Sequence, residues 1–376
     1  METLDEPPWK RIQFISITNI KLPQLLFLQD GWKENPHEKI MKTKHKISNE
    51  ISLEEWEIRK KITNSYEAIF SGTEDNSFPS LAKVNALSRS YFKMVEMAEI
   101  CGIWNEKKSF TTAHVCEGPG GFIQSIIDKA CEKGKQVTSV YAMTLKPTKA
   151  HIPGWRHSVN FLKKHPEIHL EYGYDDTGNI LNINNQKVFQ RKAKGAFLFT
   201  ADGGFDYSVD YTNQEQITFP LLLSSFVIGL VTLEYGGYMI IKLFDIYSQA
   251  TKDLILGTAI FFKEFTIYKP ATSRPCNSER YFIGKGYLGL EKAKAWIQHI
   301  YSAQEKHKQS PLTQLVKGPW PENVNKLLEE QITWQENIQV QTIENTLKLD
   351  RNKIEEYLEK NLEKSKEWCK EFNILI

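Results

Sequence analysis

The stretch "HVCEGPGGFIQSII", residues 114–127, decides how the chain is read, because it sets Gly118, Pro119, Gly120 and Gly121 between two apolar runs. A chain gives up that much backbone restraint only where it turns sharply or lets another group approach the main chain. Before the turn, "TTAHVCEG" (111–118) is β-like; after it, "GGFIQSIIDKACEKG" (120–134) is helical by its apolar spacing. A strand, a glycine turn and a helix together aim backbone N–H groups and a positive helix end at one point. The spacing from Glu117 to Phe122 is neither the G-x-G-x-x-G of dinucleotide folds nor a phosphate loop ending in G-K-[ST]. With no lysine following, a triphosphate has little to hold it. The turn suits a ligand whose adenosine and amino-acid parts lie over it, and a purely structural strand-to-helix connection is the plain alternative.

Outward from this turn the pattern repeats. "VTSVYAMTL" (137–145), "IHLEYG" (168–173), "KGAFLFTADGG" (194–204), "YMIIKLFD" (238–245), "FTIYKP" (265–270) and "ERYFIGKGYLG" (279–289) read as strands. Helical or polar stretches separate them. Strands alternating with helices predict a mostly parallel sheet covered on both faces, with ligands bound beyond the carboxyl ends of its strands. "FPLLLSSFVIGLVTL" (219–233) is too short to cross a bilayer and reads as a buried helix, with "YGG" (235–237) as its stop. "LSRSYFKMVEMAEICG" (87–102) is a helix ended by Gly102. The spacing divides the chain into an N-terminal extension (1–80), a core (81–290) and a charged, helical C-terminal extension (291–376). In the first, a helix is expected around "SLEEWEIRKKITNSYEAIF" (52–70). In the last, Ile354, Tyr357, Leu358 and Leu362 fall on one helical stripe.

Composition narrows the class. The 376 residues are 41% hydrophobic and 25% charged, ordinary globular usage, and the formal net charge is +2. Any nucleic-acid surface must therefore be a local patch. The five cysteines, at 101, 116, 131, 276 and 369, form no Cys-x-x-Cys pair. That speaks against a zinc site and a disulfide framework, and for a reducing compartment. The opening "METLDEPPWKRIQF" lacks a basic-then-apolar leader, so a soluble intracellular protein, with no membrane partner and no metal, is expected.

"CEGPGGF" (116–122) resembles motif I of the FtsJ-like ribose 2'-O-methyltransferases, and most closely the eukaryotic and viral mRNA cap enzymes among them. Further likenesses follow in order over residues 87–287. "SRSYFKMVEM" (88–97) is similar to the family's first lysine element, and "YAMTLK" (141–146) to the stretch after its second strand. "DDTGNI" (175–180) resembles the acidic loop near the adenine. "ADGGFD" (201–206) matches the aspartate motif, "GGYMIIKLF" (236–244) the second lysine strand, and "YKPATSRPCNSERYFIGKGY" (268–287) the element ending in the glutamate. Two departures from the bacterial FtsJ pattern favour the cap-enzyme branch. His114 stands where those enzymes carry an acid, and "MTL" (143–145) replaces the acid after strand two.

The resemblance implies a Rossmann-like class I methyltransferase fold, an α/β architecture with a mostly parallel seven-stranded sheet and mainly helical terminal extensions. It implies S-adenosyl-L-methionine as cofactor and a catalytic set of Lys93, Asp202, Lys242 and Glu279. Lys242 would receive or orient the proton of a ribose 2'-hydroxyl, its pKa lowered by desolvation and by the second charge of Lys93, while the two carboxylates fix both ammonium groups. Cofactor contacts fall to Glu117, Gly118, Pro119, Gly120, Gly121, Phe122, Thr144, Asp176 (with Asp175 close behind) and Asp202. Lys242 also stands out without the resemblance, since a lysine inside a central strand is rare unless paired.

The implied substrate is the first transcribed nucleotide or nucleotides of capped mRNA. The alternatives are ribosomal or transfer RNA, or an idle methyltransferase-like scaffold that binds RNA. Cap stacking would use aromatics among Trp104, Trp155, Tyr207, Tyr211, Phe244 and Tyr247, and the RNA backbone would meet "LKPTK" (145–149) or "RHSVNFLKKH" (156–165). Asn213 and Gln214 are further candidates for RNA or cofactor contact. Other capping or transcription proteins would be reached through the terminal extensions. A cytoplasmic setting, including a viral factory or virion, or else a nucleus, fits this reading.

Overall fold

In chain order the N-terminal segment supplies a short strand β1 (Leu25–Leu28) and helices α1 (Glu38–Glu50) and α2 (Leu53–Ile62). There follow α3 (Ser90–Cys101), β2 (Ser109–Val115), α4 (Gly121–Glu132), β3 (Gln136–Met143), α5 (Val159–Lys164), β4 (Ile168–Glu171), α6 (Ile183–Lys192) and β5 (Ala196–Ala201). Next come α7 (Gln214–Thr232), β6 (Leu233–Leu243), α8 (Gln249–Ala259), β7 (Phe262–Tyr268) and β8 (Arg280–Tyr287). The C-terminal segment adds α9 (Leu290–Gln309), β9 (Gln314–Val316), α10 (Glu322–Leu347) and α11 (Ile354–Glu371). This is a computed structural model, and it describes residues 6–34, 36–71, 80–148, 154–204 and 213–376.

Seven strands form one sheet in the order β4-β3-β2-β5-β6-β8-β7. All neighbours from β4 to β6 pair in parallel, and β8 runs antiparallel to both β6 and β7. The expected seven-stranded, mostly parallel sheet is therefore present. Its central strands carry helices on both faces, which is why "AFLFTA" in β5 is buried at every position rather than at alternate ones. The order reverses between β2 and β5, so the crevice beyond their carboxyl ends is where an open sheet of this kind holds ligands.

Local chemistry explains most boundaries. Gly102 ends α3 in the left-handed conformation, φ 68°, where a side chain would be strained. The apolar helix proves longer than expected: it begins at Gln214, not 219, and ends at Thr232. Its 19 residues are apolar enough to cross a membrane by length and composition, but 78% of its apolar window is buried in the fold. Uniform apolarity here marks a helix covered all round. "YGG" is not its stop. Tyr235, Gly236 and Gly237 lie inside β6, where the register with β5 slips between Ala196 and Leu198, and Gly236 takes φ 82°. Glycine serves a bulge there, not a helix cap.

The terminal segments pack on each other and on the sheet. β1 pairs antiparallel with β9, joining the two ends of the chain in a second small sheet. α1 lies along α10, and α11 lies on α2 and on the turn at Glu67–Ile69. The long helix expected over 52–70 is shorter, stopping at Ile62. Asn361 of α11 donates to the carbonyl of Ile62 (2.6 Å) just at that end. The buried face of α11 also differs from the expected stripe. It is Asn361, Ser365, Trp368 and Cys369 that are buried, while Leu358 is exposed and Ile354, Tyr357 and Leu362 are half-buried. Polar side chains that bond to a neighbour's backbone are invisible to an apolar count.

Candidate active site

The quoted turn sits where β2 leaves the sheet. Gly120 takes φ 106° and caps α4 without any side chain, so the first amides of α4 are left for another partner. The turn is closely packed below. A Cβ at Gly118 would stand 2.5 Å from the carbonyl of Gly154, and one at Gly121 would stand 2.2 and 2.4 Å from the hydroxyls of Ser90 and Ser88. Phe122 is fully buried, in contact with Tyr281 of β8. The glycines are thus required by close approach, and the turn is seated against the start of α3, which carries Lys93.

Two carboxylates leave the two strands that flank the switch point. Glu117 lies two residues past β2, and Asp202 one residue past β5. Thr200 donates to the buried Glu117 carboxylate and bonds Nδ1 of His114 (2.7 Å), whose Nε2 meets Thr112 (2.8 Å). Burial pushes His114 down to about 3, so it is a neutral spacer between two hydroxyls and not an acid–base group. Burial, and the nearby Asp202 charge, raise Glu117 well above the usual carboxylate range. A positive charge beside two carboxyl groups that act on each other is favoured.

Asp202 is fixed from two sides. Tyr281 donates to its Oδ1 (2.8 Å), and Lys242 Nζ lies 3.2 Å from the same atom. Gly203 and Gly204 make this possible. A Cβ on Gly203 would meet Cys116 at 3.0 Å, and one on Gly204 would meet Phe244 at 3.2 Å and Lys242 at 3.5 Å. Opposite, Lys93 of α3 pairs with Glu279, its Nζ 2.8 and 2.9 Å from the two carboxylate oxygens. All four side chains retain 12–14% exposure, enough for a substrate to reach them and little enough for strong electrostatics. The four residues, far apart in sequence, form one cluster, since Lys242 senses both Asp202 and Glu279.

The charges differ in one respect from expectation. Burial alone would lower Lys242, but Asp202, Glu279 and Glu117 outweigh it and raise its pKa. Without substrate, then, Lys242 is a firmly held ammonium. The lysine that burial does lower, to about 7, is Lys269, against the pull of Glu279 and with help from Arg280 and Lys93. Its Nζ donates to the carbonyls of Asn277 and Glu279 (both 2.7 Å) and to Ser273 Oγ (3.2 Å), closing the loop that presents Glu279. Burial would raise Glu279, yet Lys93, Lys242 and Lys269 hold it below the ordinary range.

The remaining candidates divide. Thr144 is buried beyond β3, and its carbonyl would stand 2.0 Å from a Cβ at Gly178, so the acidic loop lies directly on it. In that loop Asp175 is occupied. It accepts bonds from Thr177 (2.6 Å), Asn182 and Asn185 (both 2.7 Å), which hold its pKa low. Asp176, with φ 60°, projects into solvent beside Lys146 (2.5 Å). Gln214 accepts from Ser278 (2.8 Å) at the Glu279 loop, and Asn213 is exposed at the start of α7. Trp104 and Trp155 are buried core residues, which removes them as stacking faces; Trp155 lies under Gly120. Phe244 is buried beside Lys242, and Tyr247 is buried and donates to Asp245 (2.9 Å). Tyr207 and Tyr211 lie outside the described residues. Of the two basic stretches, 156–165 holds a short 3-10 turn and α5, with Arg156, Lys163 and Lys164 exposed. Among the described residues no cluster of His, Cys, Asp and Glu could hold a metal ion. Sequence reading missed Tyr281, Lys269 and Thr200. The first two had only their strand-end positions as a signal, and Thr200 had its place two residues before Asp202.

A neutral buried imidazole, two carboxylates, an uncapped helix start and paired lysines suit a ligand that carries both a cation and a carboxylate. Comparison with known proteins places the chain in a family. A protein from Leishmania braziliensis named cap-specific mRNA (nucleoside-2'-O-)-methyltransferase 1 is 28% identical over 265 residues, 65% of this chain and 65% of that protein. Its namesake from Dictyostelium discoideum is 35% identical over 193 residues, 46% of this chain and 25% of its own length. A protein of African swine fever virus named as a methyltransferase is 31% identical over 216 residues, 54% of this chain and 50% of that one. The chain thus spans about two thirds or less of the length of these relatives. The FtsJ-like methyltransferase family profile matches residues 86–287, from the start of the Lys93 element to the last residue of β8, and the chain belongs to that family.

Proposed function

We propose that this chain transfers a methyl group from S-adenosyl-L-methionine to the ribose 2'-hydroxyl of the first transcribed nucleotide or nucleotides of capped mRNA, converting cap-0 to cap-1. The observation that carries the proposal is the convergence of Lys242–Asp202 and Lys93–Glu279 beside the turn at Gly118–Phe122. The names borne by relatives from two eukaryotes support the capped substrate.

S-adenosylmethionine, when bound, supplies an electrophilic methyl on a positive sulfur. The residues present fit it. The uncapped start of α4 would meet the ligand's carboxylate, Glu117 and Asp202 would favour its positive charge, and Thr144 and Asp176 would flank its nucleoside. An unperturbed hydroxyl is a poor nucleophile near neutral pH, so its proton must be held or taken. Lys242 does this. While Lys242 is the only cation beside Asp202, that lysine stays protonated and can only orient the hydroxyl oxygen. To act as the base Lys242 must first release its own proton to solvent, which a positive charge sharing Asp202 would favour; the neutral amine would then accept the hydroxyl proton. Lys93, fixed by Glu279, keeps a second positive charge beside the developing alkoxide.

Residues 81–290 are the methyltransferase core in this reading. The flanking segments face the rest of a capping apparatus, in the cytoplasm or a viral factory. The test is to incubate the protein with labelled S-adenosylmethionine and RNAs bearing a methylated cap, an unmethylated cap or a bare triphosphate. Label confined to the ribose of capped RNA is expected. Label on uncapped structured RNA overturns the substrate, and no label on any RNA overturns the activity.

A further inference from the structure

The Lys93–Glu279 pair rests on a carboxylate outside the matched family region. Glu67, in the short 3-10 turn Glu67–Ile69 of the N-terminal segment, is buried, with a side chain 2% exposed. Arg274 grips it with two donors, Nε at 3.0 Å and Nη2 at 2.7 Å, and Asn64 adds a third at 2.7 Å. Arg89 Nη1 lies 3.3 Å from the same carboxylate. Burial alone would raise Glu67, but Arg274, Arg89 and Asn64 together hold it below the usual range.

The two arginines are placed where leverage on the site is greatest. Arg89 immediately precedes α3, one helical turn before Lys93. Arg274 lies five residues before Glu279, in the loop between β7 and β8. Arg89 also spans the gap itself, donating from Nε to the carbonyl of Thr272 (3.0 Å) in that loop, and to the carbonyls of Tyr66 (3.2 Å) and Phe70 in the N-terminal segment. Without a shared anion the two guanidiniums would face each other in a poorly solvated space, and like charges so placed repel strongly. Inside the loop Lys269 holds the far end; outside it Glu67 holds the near one.

We propose that Glu67 is a positioning residue, supplied by the N-terminal segment, whose carboxylate draws Arg89 and Arg274 together and thereby sets the distance between Lys93 and Glu279. The proposal rests on the reading of those two residues as part of the methyl-transfer site. It makes the N-terminal segment a structural member of that site rather than an appendage.

Glu67→Gln keeps the shape and removes the charge. In a crystal structure of this variant the Lys93 Nζ–Glu279 separation is expected to open beyond about 4 Å, the limit of an ion pair. In assays kcat should fall about tenfold or more, since small misplacements are costly in catalysis. The dissociation constant for S-adenosylmethionine should change by less than about twofold, because the cradle at β2 and α4 is a separate contact region. The limb of the pH–rate profile belonging to Lys242 should also move to lower pH, because Glu279 is one of the carboxylates that hold its proton. Glu67→Asp should recover part of the rate. If Glu67→Gln does not fold, Arg274→Lys, which keeps a charge but loses the two-donor fork, serves with the same readouts. An unaltered Lys93–Glu279 separation, or a loss of rate with an unmoved pH limb, overturns the proposal. If the unmodified protein transfers no methyl to any RNA, the proposed activity fails, and the crystallographic separation alone then decides the role of Glu67.

Discussion

The site has two halves built in different ways. The Lys242–Asp202 half grows out of the sheet, from adjacent parallel strands whose register places their ends side by side. The Lys93–Glu279 half joins the second residue pair across a helix and a loop that share no hydrogen-bonded ladder, and side chains from both terminal segments hold it. Glu67 reaches it from the N-terminal side. From the C-terminal side Trp368 of α11 donates to Glu96 of α3 (2.7 Å), a carboxylate that also accepts from Tyr268 and from the amide of Ala271 (2.8 Å). A sheet delivers geometry through its backbone, whereas a helix against a loop needs buried charges to do so. The first half is therefore expected to be rigid and local, the second adjustable and dependent on the whole chain.

The largest effect expected is that of Lys242→Ala. Methyl transfer should fall by about 10²–10⁴, the range for losing a general acid–base group, while cofactor affinity measured by calorimetry stays nearly unchanged. Turnover near the original rate would remove Lys242 from the mechanism. Glu279→Gln comes next. It leaves Lys93 without its buried partner, so thermal unfolding should register a loss of about 3–5 kcal/mol together with slower transfer. A stable variant with a normal rate would show that the second half is dispensable.

Gly121→Ala tests the seam between the halves. Its Cβ would press on Ser88, Ser90 and the amide of Tyr91, driving the start of α3 from the cradle. Overpacking of this kind costs about 1–3 kcal/mol, and both cofactor affinity and rate should drop together.

pH separates the halves by sign. His114 in the first has a folded pKa of about 3, below its unfolded value, so its contribution to stability is lost as pH falls from about 6.5 towards 3. Burial, partly offset by its hydrogen bonds, raises Glu96 in the second to about 7, so its contribution is lost as pH rises from about 4.5 through 7. Denaturant unfolding should show His114→Gln gaining on the parent protein on acidification, and Glu96→Gln gaining on it as pH rises, each by up to about 1.4 kcal/mol per pH unit within its window. The same slope in both variants would contradict the contrast. Asp176→Asn should do least. It removes an exposed charge paired with Lys146, and cofactor affinity should weaken by under about 1 kcal/mol.

Legibility in the sequence follows the same division. The strands, the glycine turn and Lys242 were readable because period, turn chemistry and a charge inside an apolar run are local signals. The order of motifs also brought Lys93, Asp202 and Glu279 into view. What stayed hidden has physical causes. The bulge at Gly236 looked like a helix stop because glycine serves both. Trp104 and Trp155 looked available for stacking because an aromatic carries no mark of which side is covered. The buried seam of α11 runs through Asn361 and Ser365, whose polarity hides them from an apolar stripe. The direction of the Lys242 shift was missed because it depends on how many carboxylates surround the ammonium, a sum over three distant segments.

By itself the sequence determined the alternation of strands and helices, the glycine turn and the oddity of Lys242, each a pattern among neighbours a few residues away. Lys93, Asp202 and Glu279 came into view through the order of motifs that carries the resemblance. Only the tertiary structure decided which carboxylate faces which ammonium, that Asp175 is spent on its own loop, and that Glu67 and Trp368 reach towards the segments that carry Lys93 and Glu279. Those outcomes depend on electrostatic and packing terms between segments up to hundreds of residues apart, which a linear pattern does not encode until the chain has closed on itself.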